Sequence, residues 1–297
     1  MNLRKIVDKC MKYCIFLIGG FNVVIVFLIF LFILTNSMKA FEDVSLSKFF
    51  LGREWISLSE KYGLLPLLSG SFRVTLVALG ISVPISIMSA VYMAEYANKK
   101  TRDIFKLLIE TMSALPSVVL GYIGLYVLSA LVLSALVKNI FNLNTGLTAL
   151  TGGILLSFMA IPTMVSISDD AIRALDPSYK EASLAMGANK LETVVKIILP
   201  AAFPGIFAGI MLGFGRIIGE TITVLMVTGN APILGGGILS PVRTLTATIA
   251  AEMGEVVNGS THYYVLFAVG LVLFGISFIT NTIADYFINK SRKIMRK

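Results

Sequence analysis

Arg216 and Glu220 stand four residues apart in a stretch, Pro204 to Thr228, that otherwise carries no charge. Counted from Pro204 as a helix start, Arg216 lies about 18 Å into a hydrocarbon core about 30 Å thick, near its middle. A charge at that depth costs at least ~2.5 kcal/mol on insertion scales, so both side chains must face a cavity, a partner chain or each other. On a continuous helix Glu220 shares the face of Arg216 one turn further on, and the two can meet. Two chemistries are then open. A mutually satisfied ion pair would fix helix packing, whereas a planar guanidinium fork matches the oxygens of an oxyanion in transit, with Glu220 neutralising the arginine between passages. Thr221 adjoins the pair and belongs to the same candidate path. Gly213, Gly215 and Gly219 leave room for a helix or a ligand to approach the backbone.

A second cation with possible anion chemistry is Arg243. Ser240 and Pro241 read as the cap and first residue of a short helix, which puts Arg243 in its first turn, where backbone donors and a guanidinium together make an anion site. The alternative is a loop charge touching headgroups. Arg73 reads as a headgroup anchor, and His262, the only histidine, as an interfacial anchor rather than a proton relay. Gly235-Gly236-Gly237 follows no βαβ pattern and is not a nucleotide fingerprint.

A third constellation is polar and lies outside the apolar stretches. Asp176 can cap a helix starting at Pro177, and Gly187 offers a left-handed stop. Asn189 and Glu192 then stand in capping-box relation and open a second short helix carrying Val194, Val195 and Ile198, expected to end before Pro200. Two capped helices joined by a glycine make an elbow, built to face a partner and not lipid.

The elements that must position these residues are membrane helices. Hydrophobic residues make up 56% of the 297, charged residues 14%, and the mean hydropathy is +0.86. These values exclude a soluble domain. Six apolar stretches of spanning length run at roughly 15–34, 72–94, 113–137, 149–168, 203–228 and 263–288. Basic residues crowd 1–14, 95–112, 169–202 and 289–297, while the opposite loops hold only Lys39, Lys48, Arg53, Lys61, Lys138 and Arg243. Both termini and the elbow are therefore expected in the cytoplasm of a plasma-membrane protein. The net charge of +8 is this topological bias, attracting anionic lipid headgroups, and not a nucleic-acid footprint. The first stretch is too long for a cleaved signal and reads as a retained helix. Cys10 and Cys14 complete no zinc site, and no metal is expected. Residues 35–71 form the first outer loop, with Phe49, Phe50 and Trp55 suited to a short interfacial helix. Residues 138–148 form the second outer loop. No G-x-x-x-x-G-K-[ST] loop occurs, so any ATP must be used by another subunit.

The run Glu181-Ala182-Ser183, then Gly187, then Ile197 with Leu199-Pro200, resembles the coupling-loop signature of binding-protein-dependent ABC importer permeases, with Ser183 where the signature has a second alanine. Arg216-Ile-Ile-Gly219-Glu220-Thr221 through Gly229-Asn230, Pro241-Val-Arg243-Thr244 and Leu51-Gly-Arg-Glu54-Trp55 look like segments of the phosphate-specific permeases of that family, the PstC type. The resemblance implies an all-α, six-span type I permease fold, with residues 1–69 as a leading tail, helix and outer loop, 70–285 as the permease domain with its coupling loop near 170–200, and 286–297 as a basic tail. It implies a phosphate path formed with a second permease. Arg216, Glu220, Thr221 and Arg243 would lie along that path. It also implies an elbow, through Glu181, Ala182, Ser183, Gly187, Leu199 and Pro200, that docks on ATPase subunits, two per transporter, and an extracytoplasmic phosphate-binding protein as donor. No cofactor is implied for this chain, and it is not expected to be an enzyme. The rivals are a permease for sulfate or molybdate, an ATP-independent transporter or channel, and a membrane sensor.

Overall fold

The computed structural model describes residues 3–132 and 145–295. A long first helix, α1 (Leu3–Asp43), is followed by α2 (Leu46–Leu51) and a two-stranded hairpin, β1 (Trp55–Ile56) and β2 (Lys61–Tyr62). Helix α3 (Leu65–Val91) continues through a widened turn, Tyr92–Tyr96, into α4 (Lys99–Ser113), α5 (Ser117–Ile123) and α6 (Ser129–Val132). Then come α7 (Ala149–Arg173), the two elbow helices α8 (Pro177–Ala185) and α9 (Lys190–Thr193), α10 (Leu199–Gly219), α11 (Ile222–Val227), α12 (Leu245–Glu252) and α13 (Thr261–Met295).

Five helical segments are long and apolar enough to span a bilayer: Asp8–Asp43, Leu65–Tyr96, Ala149–Arg173, Lys190–Gly219 and Thr261–Tyr286. The sixth comes from the bent pair Lys99–Ser113 and Ser117–Val132, which meet at 90°, a broken span or a re-entrant loop. Helix α7 is the centre of the bundle and the most enclosed span, packing on α3, α4, α10 and α11. Gly205, Gly209 and Gly213 recur every four residues on α10, and a Cβ at any of them would press on Ala171, Ile167 or Met164 of α7. Small residues at that spacing let two helix backbones close on each other without the help of water.

The architecture agrees with six spans but moves three boundaries. The second span starts at Leu65, with Pro66 in its first turn, and runs unbroken through Pro84. The third does not begin at 113. Pro116 caps a fresh helix after Leu115, because the residue before a proline is driven out of helical geometry. Its expected end at 137, and most of the expected outer loop 138–148, lie outside the described residues. The elbow's second helix does not stop before Pro200: a widened turn over Val194–Ile198 leads straight into α10, with Pro200 in the first turn, where a missing N–H costs least.

The first outer loop carries the expected short helix, α2, with Leu46, Phe50 and Leu51 exposed, and the rest of the loop folds onto the bundle. Phe49, Trp55, Tyr62 and Leu64 are buried against Leu245 and Val265, Leu266 and Val269 of the last helix. Leu64 and Gly63 return their backbone donors to Phe49 and Glu54, which closes the loop on itself. Trp55, expected at a membrane interface, is thus a core residue with an internal acceptor.

Candidate functional site

The elbow forms as its caps dictate. Asp176 accepts from the Ser178 amide at 2.9 Å, and that bond to a backbone donor holds its carboxyl below the usual carboxylate range. At the far end Gly187 has φ of 89°. The Gly187 and Ala188 amides donate back to the Leu184 and Ser183 carbonyls, a doubly closed helix end that only a left-handed residue permits. Asn189 and Glu192 complete the capping box in both directions, at 2.9 and 3.0 Å. Ser183 is buried, its hydroxyl 2.9 Å from that of Thr193, so the departure from the two-alanine signature is a bond across the elbow. Glu181, Ala182 and Gly187 are exposed, as is Pro200, while Leu199 is half-buried. Beside them Tyr179, Leu184, Met186 and Leu191 hold large apolar side chains in the open. Two contacts tie the elbow to the widened turn ending α3: an ion pair from Lys180 to Glu95, and the Lys190 ammonium 4.3 Å from the Tyr96 ring centre.

The midmembrane pair does not form. Helix α10 ends at Gly219, and Glu220 adopts extended geometry with ψ of 131°, so the four-residue rule no longer puts its side chain over Arg216. The Glu220 carboxylate instead accepts from the amide and hydroxyl of Thr223, at 3.2 and 3.0 Å, and caps α11. Its backbone carbonyl takes the Thr246 hydroxyl at 2.8 Å. Thr221 turns its hydroxyl back to the Gly219 carbonyl at 3.2 Å. Arg216 is left half-buried, and among the described residues its one hydrogen-bond partner is the Thr163 hydroxyl of α7 at 3.4 Å. Thr163 also lines a cavity of about 250 Å³ between α4 and α7, with Lys106, Ser113 and Ser166. Gly215 and Gly219 face open space on the same helix.

Arg243 is not in a helical first turn. Val242 bridges to Gly229 and keeps 241–243 extended, and the cap falls to Thr244, which accepts from the Ala247 amide ahead of α12. The Arg243 side chain is engaged: it donates to Asn230 at 2.9 Å and pairs with Glu252. Glu252 also takes the Trp55 indole at 3.1 Å and His262 at 2.8 Å. Tyr62 stacks on His262, and burial, reinforced by Glu60 and Glu252, raises its phenol above the ordinary range. His262 is therefore part of an internal brace joining hairpin, α12 and α13. Arg73 also has an internal role, donating to the carbonyls of Ile233, Gly236 and Gly237. The sequence reading missed this brace, although Glu252 and His262, ten apart around a turn, were its available signal.

Residues 82–293 match the family model for the binding-protein-dependent transport system inner membrane component. The chain belongs to that family. It is an ABC importer permease, a multi-pass membrane transport subunit and not an enzyme. A probable ABC transporter permease protein YqgH of Bacillus subtilis is 37% identical over 79% of this chain and 74% of that protein. The phosphate transport system permease protein PstC of Xylella fastidiosa is 31% identical over 80% and 76%, and a probable PstC of Methanocaldococcus jannaschii is 28% identical over 99% and 98%. Among solved structures, a bacterial alginate ABC transporter in complex with an alginate pentasaccharide-bound periplasmic protein aligns with a TM-score of 0.62 at 15% identity, covering 99% of this chain and 98% of that one. The methionine ABC transporter MetNI aligns at 0.56 and 18%, covering 77% and 94%. These establish the type I importer permease fold.

Proposed function

We propose that this permease carries phosphate inward, forming the path with a second permease, receiving the anion from an extracytoplasmic binding protein and drawing its energy from two ATPase subunits on the elbow. The observation that carries the reading is Arg216: a guanidinium in an apolar span, with a single hydroxyl partner among the described residues, has donors in fork geometry left for an oxyanion. The phosphate transport relatives support the choice of anion. Thr163 and Thr221 border the arginine's helix end, and Glu220 shapes the break in the helix without neutralising the arginine. Arg243 is assigned to the outer brace and not to the path.

The elbow carries the docking reading, since its apolar side chains are exposed on a doubly capped, partner-ready frame. With basic segments on the elbow's side, both termini are cytoplasmic in this scheme. The chain needs no cofactor of its own, ATP being used by the partner. The test is uptake of labelled phosphate into vesicles holding the assembled transporter, with and without ATP inside, in competition with sulfate and molybdate. The reading requires ATP-dependent phosphate uptake that neither competitor removes at equal concentration. Preferential competition by sulfate or molybdate would reassign the anion, and uptake independent of ATP would remove the ATPase.

A further inference from the structure

Helix α4 has two faces, and the bundle covers only one. On the inner face Ile109 joins the cluster of Met93, Val165 and Ile172, while Lys106, Glu110 and Ser113 line the cavity against α7. On the outer face Ile104, Leu107 and Leu108, spaced three and four apart, are 50, 63 and 55% exposed. The helix makes a right angle with Ser117–Val132. If that segment crosses the bilayer, α4 lies along its surface, at the depth where an apolar stripe meets acyl chains and long basic side chains reach headgroups. At the start of the stripe Lys99 and Lys100 are exposed, and with Asp103, Ile104 and Leu107 they border an open depression of about 490 Å³.

We propose that this face of α4 is an interfacial bed on which anionic phospholipid is held, with Lys99 and Lys100 on the headgroup and Ile104, Leu107 and Leu108 against the acyl chains. Charge decides the occupant. Two adjacent ammonium groups facing one carboxylate, Asp103, leave a net positive rim above an apolar stripe, and an anionic lipid offers both matching halves in one molecule. A protein partner would have to bring an acidic group and an apolar ridge together in that same geometry. The inference does not depend on which anion the permease carries.

The experiment uses the full chain with its partner subunits in nanodiscs of phosphatidylcholine, alone or mixed with phosphatidylglycerol. A fluorophore on Leu107→Cys, with Cys10→Ser and Cys14→Ser, should be quenched by nitroxides on the lipid acyl chains. Phosphatidylglycerol retained over phosphatidylcholine through purification should fall by roughly tenfold or more in Lys99→Gln/Lys100→Gln, following the contribution of each basic residue near an anionic surface. It should persist in Lys99→Arg/Lys100→Arg, which shows that the face is still folded. A fluorophore shielded from lipid nitroxides would mean that another protein covers the face, and unchanged retention in the glutamine pair would mean that the lysines select no headgroup. Either result overturns the proposal.

Discussion

Arg216 and Arg243 lie on either side of the helix break at Gly219 and are used in opposite ways. Arg243 is held at both ends of its guanidinium, by Asn230 and by a Glu252 that also takes Trp55 and His262. Among the described residues Arg216 has Thr163 alone. An arginine tied to a carboxylate is part of the frame, whereas one in an apolar span held only by a hydroxyl retains binding capacity, and that capacity is what a transport path needs. Residue type and depth do not separate the two; their partners do.

The comparison is broken most easily by truncating each arginine. Arg216→Ala should insert and fold normally yet lose roughly a hundredfold in phosphate uptake per inserted molecule, the loss of a charge-assisted contact worth about 3 kcal/mol. Arg243→Ala should do the reverse: it leaves a buried carboxylate short of its strongest partner, which costs about 3 kcal/mol of stability while uptake per folded molecule survives. Thermal unfolding in detergent, read beside uptake, checks both. Next in size is the elbow. Glu181→Lys or Gly187→Pro should abolish co-purification of the ATPase with the chain still in the membrane, Gly187→Pro because proline can neither adopt φ of 89° nor give the Leu184 carbonyl its donor. Wild-type recovery of the ATPase with either variant would end the docking assignment.

A smaller effect sharpens the link between elbow and bundle. Lys180→Glu should weaken uptake by a few-fold, because the pair with Glu95 is partly exposed and worth about 1 kcal/mol. The charge-swapped Lys180→Glu/Glu95→Lys should recover it; a swap that recovered nothing would mean the contact orients nothing. The smallest effect is one of pH. Because the Tyr62 phenol titrates above its ordinary value of 10.0 when folded, the neutral form is favoured in the native state. Its contribution to stability is complete below that pH and is lost as pH rises through the folded value. Tyr62→Phe should show a flatter loss of stability above about pH 10 than the wild type.

Much of this was legible in the sequence, for physical reasons that differ by region. The elbow could be read residue by residue because its determinants are local: Asp176, Gly187 and the Asn189–Glu192 box act on backbone within three or four positions. Span number followed from apolar run length. Span starts at prolines were less legible, since Pro116 begins a helix while Pro84 and Pro200 are passed through, and residue type alone does not distinguish them. The Arg216–Glu220 pair was misjudged because helical spacing was carried past Gly219, where the helix ends. The brace around Glu252 was hidden for a different reason: Trp55 and Glu252 are nearly two hundred positions apart, and no periodicity reports such a meeting.

The central claim, that Arg216 is held available for the anion and is not balanced by Glu220, is tested most directly by a double-mutant cycle on Arg216→Ala and Glu220→Gln. Thermal stability and labelled phosphate uptake per inserted molecule are measured for the wild type, both singles and the double. The account predicts independent effects on stability, with Arg216→Ala close to wild type, and uptake lost in the double as fully as in the arginine single. A destabilised Arg216→Ala whose stability and uptake both return when Glu220 is neutralised would show that the two residues are an ion pair and would take Arg216 out of the substrate path.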